Sequence, residues 1–387
     1  MPRFLSTLFC AALTLAALAT SLPAQEFASQ TNRSVAAKTP PSISKDGKVT
    51  FTLAAPKAME VLLGGDWLTE RLPMAKDDQG NWTLSVQLPP RIYSYHFVVD
   101  GVKMIDPSNT QLKLGRLDIA SSIEVPGTPP MLWEMRDVPH GDITTITYNS
   151  TVAGDQRRVT IYTPPGYAPD QANKLPVLYL LHGNGEIESS WVQYGRANLI
   201  ADNLLAEGRM KPMIIVMPKG HTYKPGQTPA LGVPVEIAFE ASVFKDDLFE
   251  TIIPLVEKRF SVKTDQPNRA IMGLSMGGAQ SFKIGLGNLD RFSHVGLFSA
   301  GGNSSPEVLA SLTADPKAAN EKLKLLWIGC GRLDRRFAGV EKLHDELTKA
   351  GIVHTYKPTD GAHVWLNWRD YLAETLPLLF QQSDNLN

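Results

Sequence analysis

A serine flanked by glycines occurs in the second half of the chain, within the stretch IMGLSMGGAQ. Gly273, Ser275 and Gly277 match the pattern Gly-x-Ser-x-Gly. The preceding residues RAIM are typical of a buried strand, and GGAQSFKIGLGN is typical of a helix. At a strand-to-helix turn, glycines let the chain reverse closely while the serine takes a strained conformation that exposes its hydroxyl. The pattern predicts a nucleophile at Ser275; a packing turn with a bystander serine is the alternative.

A serine nucleophile needs a general base, which in such sites is a histidine. The histidines after the serine are His294, His344, His354 and His363. The first three are expected in a strand, in an amphipathic helix and in the strand IVHTYK, respectively. His363 instead lies in the glycine-bearing stretch TDGAHVWLNW, between the last predicted strand and the last predicted helix. A loop there can bring an imidazole over the sheet, so we predict His363 as the base.

The base needs an acidic group to orient it, and in this type of fold the order along the chain is serine, acid, histidine. Asp334 follows the predicted strand LLWIGCG, in a loop of the kind that carries function in open α/β sheets. Asp360 is close to His363 in sequence and is expected to shape its loop instead. We predict Asp334 as the acid, with Asp360 as the alternative.

An oxyanion hole requires two backbone N–H groups. One is expected from Met276, the residue that follows the nucleophile. The other is expected from the loop YLLHGNGE, where we choose Asn184 over Gly183. His182 precedes the nucleophile in the chain and is expected to shape this loop rather than to act as a base.

The elements that position these residues alternate between strand-like and helix-like segments. Apolar runs such as PVLYLLHG, MIIVMP and HVGLFSA alternate with amphipathic patterns such as GRANLIADNLLAEG and GVEKLHDELTKAG. This alternation predicts a mostly parallel sheet covered by helices on both faces, an α/β fold, over residues 146–384.

The region before this fold has a different pattern. KVTFTLAA, MEVLLGG, NWTLSVQL and IYSYHFVVDG alternate with period two and are separated by turn residues. They predict a small immunoglobulin-like β-sandwich over residues 45–125, with linkers at 25–44 and 126–145. Trp67 and Trp82 could be platforms for sugars or members of the sandwich core.

The N-terminus has the features of a secretory signal peptide. A basic residue precedes an apolar stretch and small residues, so we expect residues 1–24 to be removed and the protein to be secreted or periplasmic. Cleavage would leave Cys330 as the only cysteine. Because a single cysteine cannot form an internal disulfide, the fold is expected to be stabilised by an ordinary apolar core. A net charge of −1 gives no indication of nucleic acid or membrane partners, and the sequence carries no signal for an oligomeric state.

The motifs YTPPGY, YLLHGNGE, MIIVMPKGH, RAIMGLSMGG and GAHVWLNW resemble carbohydrate esterase family 1, the feruloyl and acetyl xylan esterases among the esterase D-like α/β-hydrolases. The stretch YSYHFVVDGVKMIDPSN is similar to the β-sandwich of carbohydrate-binding module family 48. The resemblance implies a serine esterase without a metal or organic cofactor, acting on a polysaccharide or oligosaccharide ester.

Four residues in predicted loops near the site could contact an aromatic acyl group or a sugar, or could be structural. They are Trp191, His221, Trp365 and Trp368.

Four functions are compatible with the pattern. A feruloyl or acetyl xylan esterase is favoured by the predicted signal peptide and sandwich. A siderophore-ester hydrolase of the enterochelin type would call for a basic pocket, and the loops show no clear arginine cluster. An acyltransferase related to the mycolyl transferases is the third function. A catalytically inactive binding protein is disfavoured by the complete serine, histidine and aspartate set.

Overall fold

The structure is a computed structural model that describes residues 40–116, 118–223, 241–301 and 305–381. The predicted signal peptide and most of the first predicted linker lie outside these ranges. Over the described ranges, no helix is both long and apolar enough to cross a membrane.

Two antiparallel sheets form a β-sandwich at the start of the described chain, as the sequence predicts. One sheet has the order β1-β2-β6-β5; the other has the order β4-β3-β7-β10-β9, with β8 paired to β7. The strands are β1 (Ser42–Ile43), β2 (Lys48–Ala54), β3 (Val61–Gly65), β4 (Leu72–Pro73), β5 (Ala75–Lys76), β6 (Asn81–Gln87), β7 (Arg91–Val99), β8 (Val102–Met104), β9 (Leu112–Leu114) and β10 (Ile119–Val125).

The two sheets share one apolar core because their strands alternate between inward and outward residues. In β2, Val49, Phe51 and Leu53 point inward and are almost completely buried. Trp82 also belongs to this cluster, and the partly buried Trp67 packs against it. The Trp82 indole donates to the Ala55 carbonyl at 3.0 Å. Trp67 packs on the rings of Phe51 and Tyr93. Trp82 is therefore a core residue, whereas a role of the partly buried Trp67 as a sugar platform stays a prediction.

An eight-stranded sheet follows, with the order β11-β12-β14-β13-β15-β16-β17-β18. Both neighbours of β12 run antiparallel to it, and the pairs from β14 to β18 are parallel. The strands are β11 (Asp142–Ser150), β12 (Asp155–Thr163), β13 (Val177–Leu181), β14 (Ile214–Pro218), β15 (Arg269–Leu274), β16 (His294–Phe298), β17 (Leu325–Gly331) and β18 (Thr355–Thr359). This is the predicted mostly parallel α/β sheet.

Helices cover both faces of this sheet. They are α1 (Ser190–Gln193), α2 (Ala197–Ala206), α3 (Ala241–Asp247), α4 (Ile253–Arg259), α5 (Met276–Gly285), α6 (Pro306–Ala314), α7 (Pro316–Lys322), α8 (Phe337–Ala350) and α9 (Trp365–Thr375). A π-helical segment, Leu248–Ile252, joins α3 to α4. In β13, Val177, Tyr179 and Leu181 face one core, and Leu178 and Leu180 face the other. All five are buried, as expected of a strand covered on both faces.

The connection between the sandwich and the sheet is more ordered than the predicted linker. The sheet takes in residues from Asp142 onward, within the segment predicted as linker, because β11 pairs with β12 along its whole length. Trp133 in the preceding connection is 3% exposed and belongs to the core on one face of the large sheet. Ile92 of β7 belongs to the same core. The sandwich and the sheet therefore share buried apolar contacts.

Candidate active site

Four loops meet at one edge of the large sheet. They follow β13, β15, β17 and β18, whose carboxyl ends lie at the same edge because these strands are parallel. Each loop carries one residue singled out from the sequence, namely Asn184, Ser275, Asp334 and His363. In open α/β sheets this edge is where ligands bind.

Ser275 occupies a sharp turn between β15 and α5. Its φ of 53° and ψ of −113° lie outside the conformations that side-chain-bearing residues ordinarily adopt. Its N–H donates to the Phe298 carbonyl at 2.8 Å, which ties the turn to the neighbouring strand. A Cβ atom at Gly277 would lie 2.6 Å from the carbonyl oxygens of Leu181 and His182, so only glycine fits there. The turn therefore has the geometry of a nucleophile elbow, and Ser275 as the nucleophile stays a proposal.

A chain of hydrogen bonds joins the three predicted side chains. His363 Nε2 lies 2.8 Å from Ser275 Oγ, and His363 Nδ1 lies 2.8 Å from Asp334 Oδ2. The Asp334 carboxylate can only accept when ionised, so Nδ1 carries the proton and the neutral ring leaves Nε2 free to accept from the serine hydroxyl. This is the tautomer that a general base requires.

Asp334 is well placed to remain ionised. Its side chain is fully buried, which opposes ionisation, yet the hydrogen bond from His363 lowers the pKa of Asp334 below its ordinary value. The backbone N–H of Arg336 also donates to Asp334 Oδ1 at 2.9 Å. Asp360, the alternative acid, is fully exposed, and its nearest ionic partner is Arg332 at 3.9 Å. The geometry thus favours Asp334.

The His363 loop is fixed from both sides. The N–H of Leu333 donates to the Gly361 carbonyl at 3.0 Å, so the loops that carry the acid and the histidine are joined directly. The His363 ring meets the edge of Trp368 at a centroid distance of 4.9 Å. The Trp368 indole in turn donates to Ser299 Oγ at 2.9 Å. These contacts restrict the imidazole to one orientation.

The two backbone N–H groups predicted for an oxyanion hole belong to Met276 and Asn184. Met276 is the first residue of α5, and the first N–H groups of a helix have no partner within the helix. Asn184 lies in the loop after β13, and its carbonyl accepts from His221 Nε2 at 2.8 Å. Arg116 of the sandwich donates to the same carbonyl at 3.2 Å and to Asn184 Oδ1 at 3.0 Å. The loop that carries the second candidate donor is thus held by groups from two regions.

The other histidines considered in the sequence analysis, and Cys330, have structural surroundings. His182 Nε2 accepts from the Gly220 N–H at 2.9 Å, in agreement with its expected loop-shaping role. His344 and His354 contact each other at 2.8 Å, and His354 lies just before β18 rather than within it. His294 is buried, and burial lowers its pKa to about 4. Burial raises the pKa of Cys330 to about 12, so its thiol stays protonated.

Ser275 opens into a cavity of about 320 Å³, a volume suited to a small ligand or part of a larger one. The lining combines residues from the loops at the carboxyl edge of the large sheet, from α9 and from the sandwich. They are Asp66, Ser94, Lys113, Gly183, Asn184, Gly185, Glu186, Leu274, Ser275, Arg335, His363, Val364, Trp365 and Trp368. In the parts of the chain that the structure describes, no group of three or more His, Cys, Asp or Glu side chains could hold a metal ion.

The four residues suggested as substrate contacts divide into two pairs. Trp365 and Trp368 line the cavity, although each exposes less than 5% of its surface. Trp191 does not line it: its ring is 1% exposed, packs on Trp365 and donates to the Leu181 carbonyl at 3.0 Å. His221 lies beneath the cavity wall and holds Asn184, and burial together with nearby His182 lowers its pKa to about 2. Trp191 and His221 therefore support the site without forming its surface.

Solved structures of esterases share this fold. A ferulic acid esterase of carbohydrate esterase family 1 from Anaeromyces mucronatus, in complex with ferulic acid, is 26% identical, with 64% of this chain and 93% of that chain covered and a TM-score of 0.55. The enterochelin esterase from Shigella flexneri is 21% identical, with 88% of this chain and 95% of that chain covered and a TM-score of 0.66. At that identity, the second likeness concerns the fold alone.

A curated relative extends the similarity into the sandwich. The chain is 35% identical over 354 residues to an endo-1,4-beta-xylanase/feruloyl esterase from Xylanibacter ruminicola, covering 88% of this chain and 46% of the relative. Only 306 residues of the chain lie outside 45–125, so the matched length of 354 residues must include part of the sandwich. An endo-1,4-beta-xylanase Y from Acetivibrio thermocellus is 26% identical over 145 residues, covering 35% of this chain and 12% of the relative. The chain thus spans less than half the length of either relative.

The family model Esterase matches residues 150–379, from the end of β11 to just beyond α9. This range contains Ser275, Asp334 and His363 as well as both candidate oxyanion donors. Because the match covers more than half of the chain, the protein belongs to the esterase family.

Proposed function

We propose that this protein is a secreted serine esterase that cleaves feruloyl or acetyl groups from the xylan of plant cell walls. The observation that carries the proposal is the hydrogen-bonded chain from Asp334 through His363 to Ser275, at the opening of a ligand-sized cavity. Residues 1–24, which lie outside the described ranges, are proposed to be the secretion signal.

The proposed reaction proceeds through an acyl-enzyme. His363 Nε2 takes the hydroxyl proton as Ser275 Oγ attacks the ester carbonyl carbon. The carbonyl oxygen becomes an oxyanion between the Met276 and Asn184 N–H groups. As the carbon–oxygen bond to the alcohol breaks, His363 returns the proton to the leaving oxygen. Water then attacks the acyl group, again with His363 as the base. The free acid is released and the Ser275 hydroxyl is regenerated.

The choice of substrate class rests on the relatives. The Xylanibacter ruminicola relative, whose name includes feruloyl esterase, is similar over both the sandwich and the sheet. A structural neighbour above 25% identity holds ferulic acid. The resemblance of the sandwich to carbohydrate-binding module family 48 stays a prediction.

A siderophore-ester hydrolase is the second candidate. It is favoured by the fold likeness to enterochelin esterase over 88% of this chain, and by Lys113 and Arg335 in the cavity lining, which would attract an anionic substrate. Lys113, however, pairs with Glu186 at 3.4 Å within the same lining. The cavity is therefore not the strongly basic pocket that an anionic substrate would call for.

Hydrolysis of methyl ferulate, acetylated xylan and a catecholate siderophore by the full chain would test the proposal. We expect turnover of methyl ferulate or acetylated xylan, and a loss of about a thousandfold or more in the Ser275→Ala variant. Turnover of the siderophore alone would favour the second candidate. Activity of Ser275→Ala near that of the parent would overturn the mechanism.

A further inference from the structure

The β-sandwich supplies part of the wall of the cavity beside Ser275. Asp66 follows β3, Ser94 lies in β7 and Lys113 lies in β9, and all three line the cavity. We propose that this wall forms a subsite for a hydroxyl on the substrate, in which Glu186 accepts the hydrogen bond and Lys113 of the sandwich positions Glu186. The inference rests on the proposed ester hydrolysis at Ser275.

Glu186, in the loop after β13, lines the cavity beside the sandwich residues and has one carboxylate oxygen without a hydrogen-bond partner among the described residues. The residue is 7% exposed, and its Oε1 accepts from the Trp365 indole at 3.0 Å. Lys113 Nζ lies 3.4 Å from the same oxygen. Glu186 Oε2 is buried and has no hydrogen-bond partner among the described residues. A buried carboxylate oxygen without a donor is costly, so a ligand that brings a donor is favoured.

Asp66, the second carboxylate of the wall, differs in this respect. Its Oδ2 accepts from Ser94 Oγ at 2.9 Å and from the Tyr194 hydroxyl at 3.1 Å. Its Oδ1 accepts from the Ser94 N–H at 3.2 Å. Both oxygens are therefore engaged within the protein, which leaves Glu186 as the cavity-lining carboxylate with an unpartnered oxygen among the described residues.

An ionised carboxylate accepts hydrogen bonds and does not donate, so the ligand group must be a donor. Lys113 Nζ also lies 5.5 Å from the centroid of the Tyr194 ring, which holds the ammonium between that ring and Glu186. In an ester of a hydroxylated aromatic acid on a sugar, the donor is a phenolic hydroxyl of the acyl group or a hydroxyl of the sugar. Both present the same chemistry to Glu186.

The substitution Glu186→Gln reverses the polarity at this position. The Trp365 indole keeps an acceptor if the amide oxygen takes the place of Oε1, and the amide NH₂ then takes the place of Oε2. Glu188→Gln is the matched control: Glu188 is buried to a similar degree in the same loop, pairs with Arg158 at 2.8 Å, and is not among the cavity-lining residues.

The test measures kcat/KM of the full chain and its variants on methyl cinnamate, methyl 4-hydroxycinnamate and a feruloyl arabinose ester. If the donor is phenolic, Glu186→Gln should lower the ratio of the 4-hydroxycinnamate value to the cinnamate value by about tenfold, since a hydrogen bond to a charged group is lost. If the donor is a sugar hydroxyl, the fall should appear only for the arabinose ester. Lys113→Met should lower the same ratio by a smaller factor.

Glu188→Gln and Lys57→Met, an exposed lysine of the sandwich, should leave the ratios within twofold of the parent. Unchanged ratios in Glu186→Gln, with active enzyme, would overturn the subsite and leave the proposed esterase function intact. A lower melting temperature in Glu186→Gln with unchanged ratios would assign Glu186 to structure alone and would likewise overturn it. Loss of the esterase proposal itself would instead be seen as full activity in Ser275→Ala.

Discussion

The large sheet and the β-sandwich contribute different kinds of group to one site. The sheet provides the residues proposed to react, Ser275, His363 and Asp334, each from a loop at the carboxyl end of a parallel strand. The sandwich provides groups that hold the Asn184 loop or line the cavity. Arg116 hydrogen-bonds Asn184, and Lys113 pairs with Glu186. The difference indicates that the sandwich contacts the proposed active site directly and lines part of its cavity.

The contact between the two regions supports this interpretation. Arg369 is completely buried and donates to the carbonyls of Tyr194 and Ile92, each at 3.1 Å. The next residue, Asp370, pairs with Arg91 of the sandwich at 2.8 Å. Both belong to α9, the helix that follows the His363 loop. Contacts with the sandwich therefore help to fix the helix that follows the proposed base.

The strongest effect is expected on the sheet side of the comparison, at Asp334. Asp334→Asn should lower kcat by about a thousandfold or more, because the imidazole loses the anion that sets its tautomer. Steady-state kinetics on methyl ferulate would measure this. Asp360→Asn, at an exposed position in the His363 loop, is the control and should change kcat less than twofold. Reversed effects would show that the acid had been assigned to the wrong residue.

On the sandwich side, Arg116→Met should lower kcat by about ten- to a hundredfold with little change in KM. The reason is that Asn184, the residue of the second candidate oxyanion donor, would lose its two hydrogen bonds from Arg116 and keep only the contact with His221 at its carbonyl. Arg71→Met, at an exposed arginine of the same sandwich, serves as the control. If both variants turn over methyl ferulate like the parent, the sandwich does not take part in arranging the oxyanion loop.

Much of the sheet side could be predicted from the sequence. The strands, the elbow and the loop position of His363 depend on local patterns of apolar residues, glycines and chain order. The choice between Asp334 and Asp360 was less certain, because it depends on which loop turns toward the imidazole. That turn is set by the distant contact between Leu333 and Gly361.

The sandwich side could not be predicted in the same way. Its contribution depends on pairs far apart in the chain, such as Arg116 with Asn184 and Lys113 with Glu186, which no periodicity encodes. One sequence signal for the contact with the large sheet was present in β7, RIYSYHFVV. Most of its residues are buried, whereas a strand with one face in solvent would alternate between buried and exposed residues. Ile92 and Ser94 face the large sheet, which such a pattern could have indicated.

A third test concerns the tryptophans of the sandwich. Trp82→Ala should lower the free energy of unfolding by about 3–5 kcal/mol, as for other buried tryptophans. Urea denaturation monitored by circular dichroism would measure the change. Met59→Ala, at a side chain that is 91% exposed, should change it by less than about 0.5 kcal/mol. Loss of retention on a polysaccharide gel without any loss of stability would restore Trp82 as a sugar platform.

The smallest expected effect contrasts two carboxylates. The pKa of Asp334 is lowered, whereas burial raises the pKa of Asp66 above its ordinary value of 3.8. For Asp66 the folded state binds the proton more tightly, so this group's contribution to stability falls as pH rises from about 3.8 through the raised pKa. The Asp66→Asn variant has no titrating group at this position. Its melting temperature relative to that of the parent should therefore rise between pH 4 and 7, by on the order of 1 °C. A constant difference across that range would contradict the assignment.

The central claim is that ester cleavage proceeds through an acyl group on Ser275 within a site built by both regions. The most direct measurement is rapid quenching of the full chain during turnover of p-nitrophenyl acetate, followed by mass spectrometry of its peptides. We expect an added acetyl group on the peptide that contains Ser275, with the adduct absent from Ser275→Ala. An adduct on another residue, or burst release of p-nitrophenol by Ser275→Ala equal to that of the parent, would contradict it.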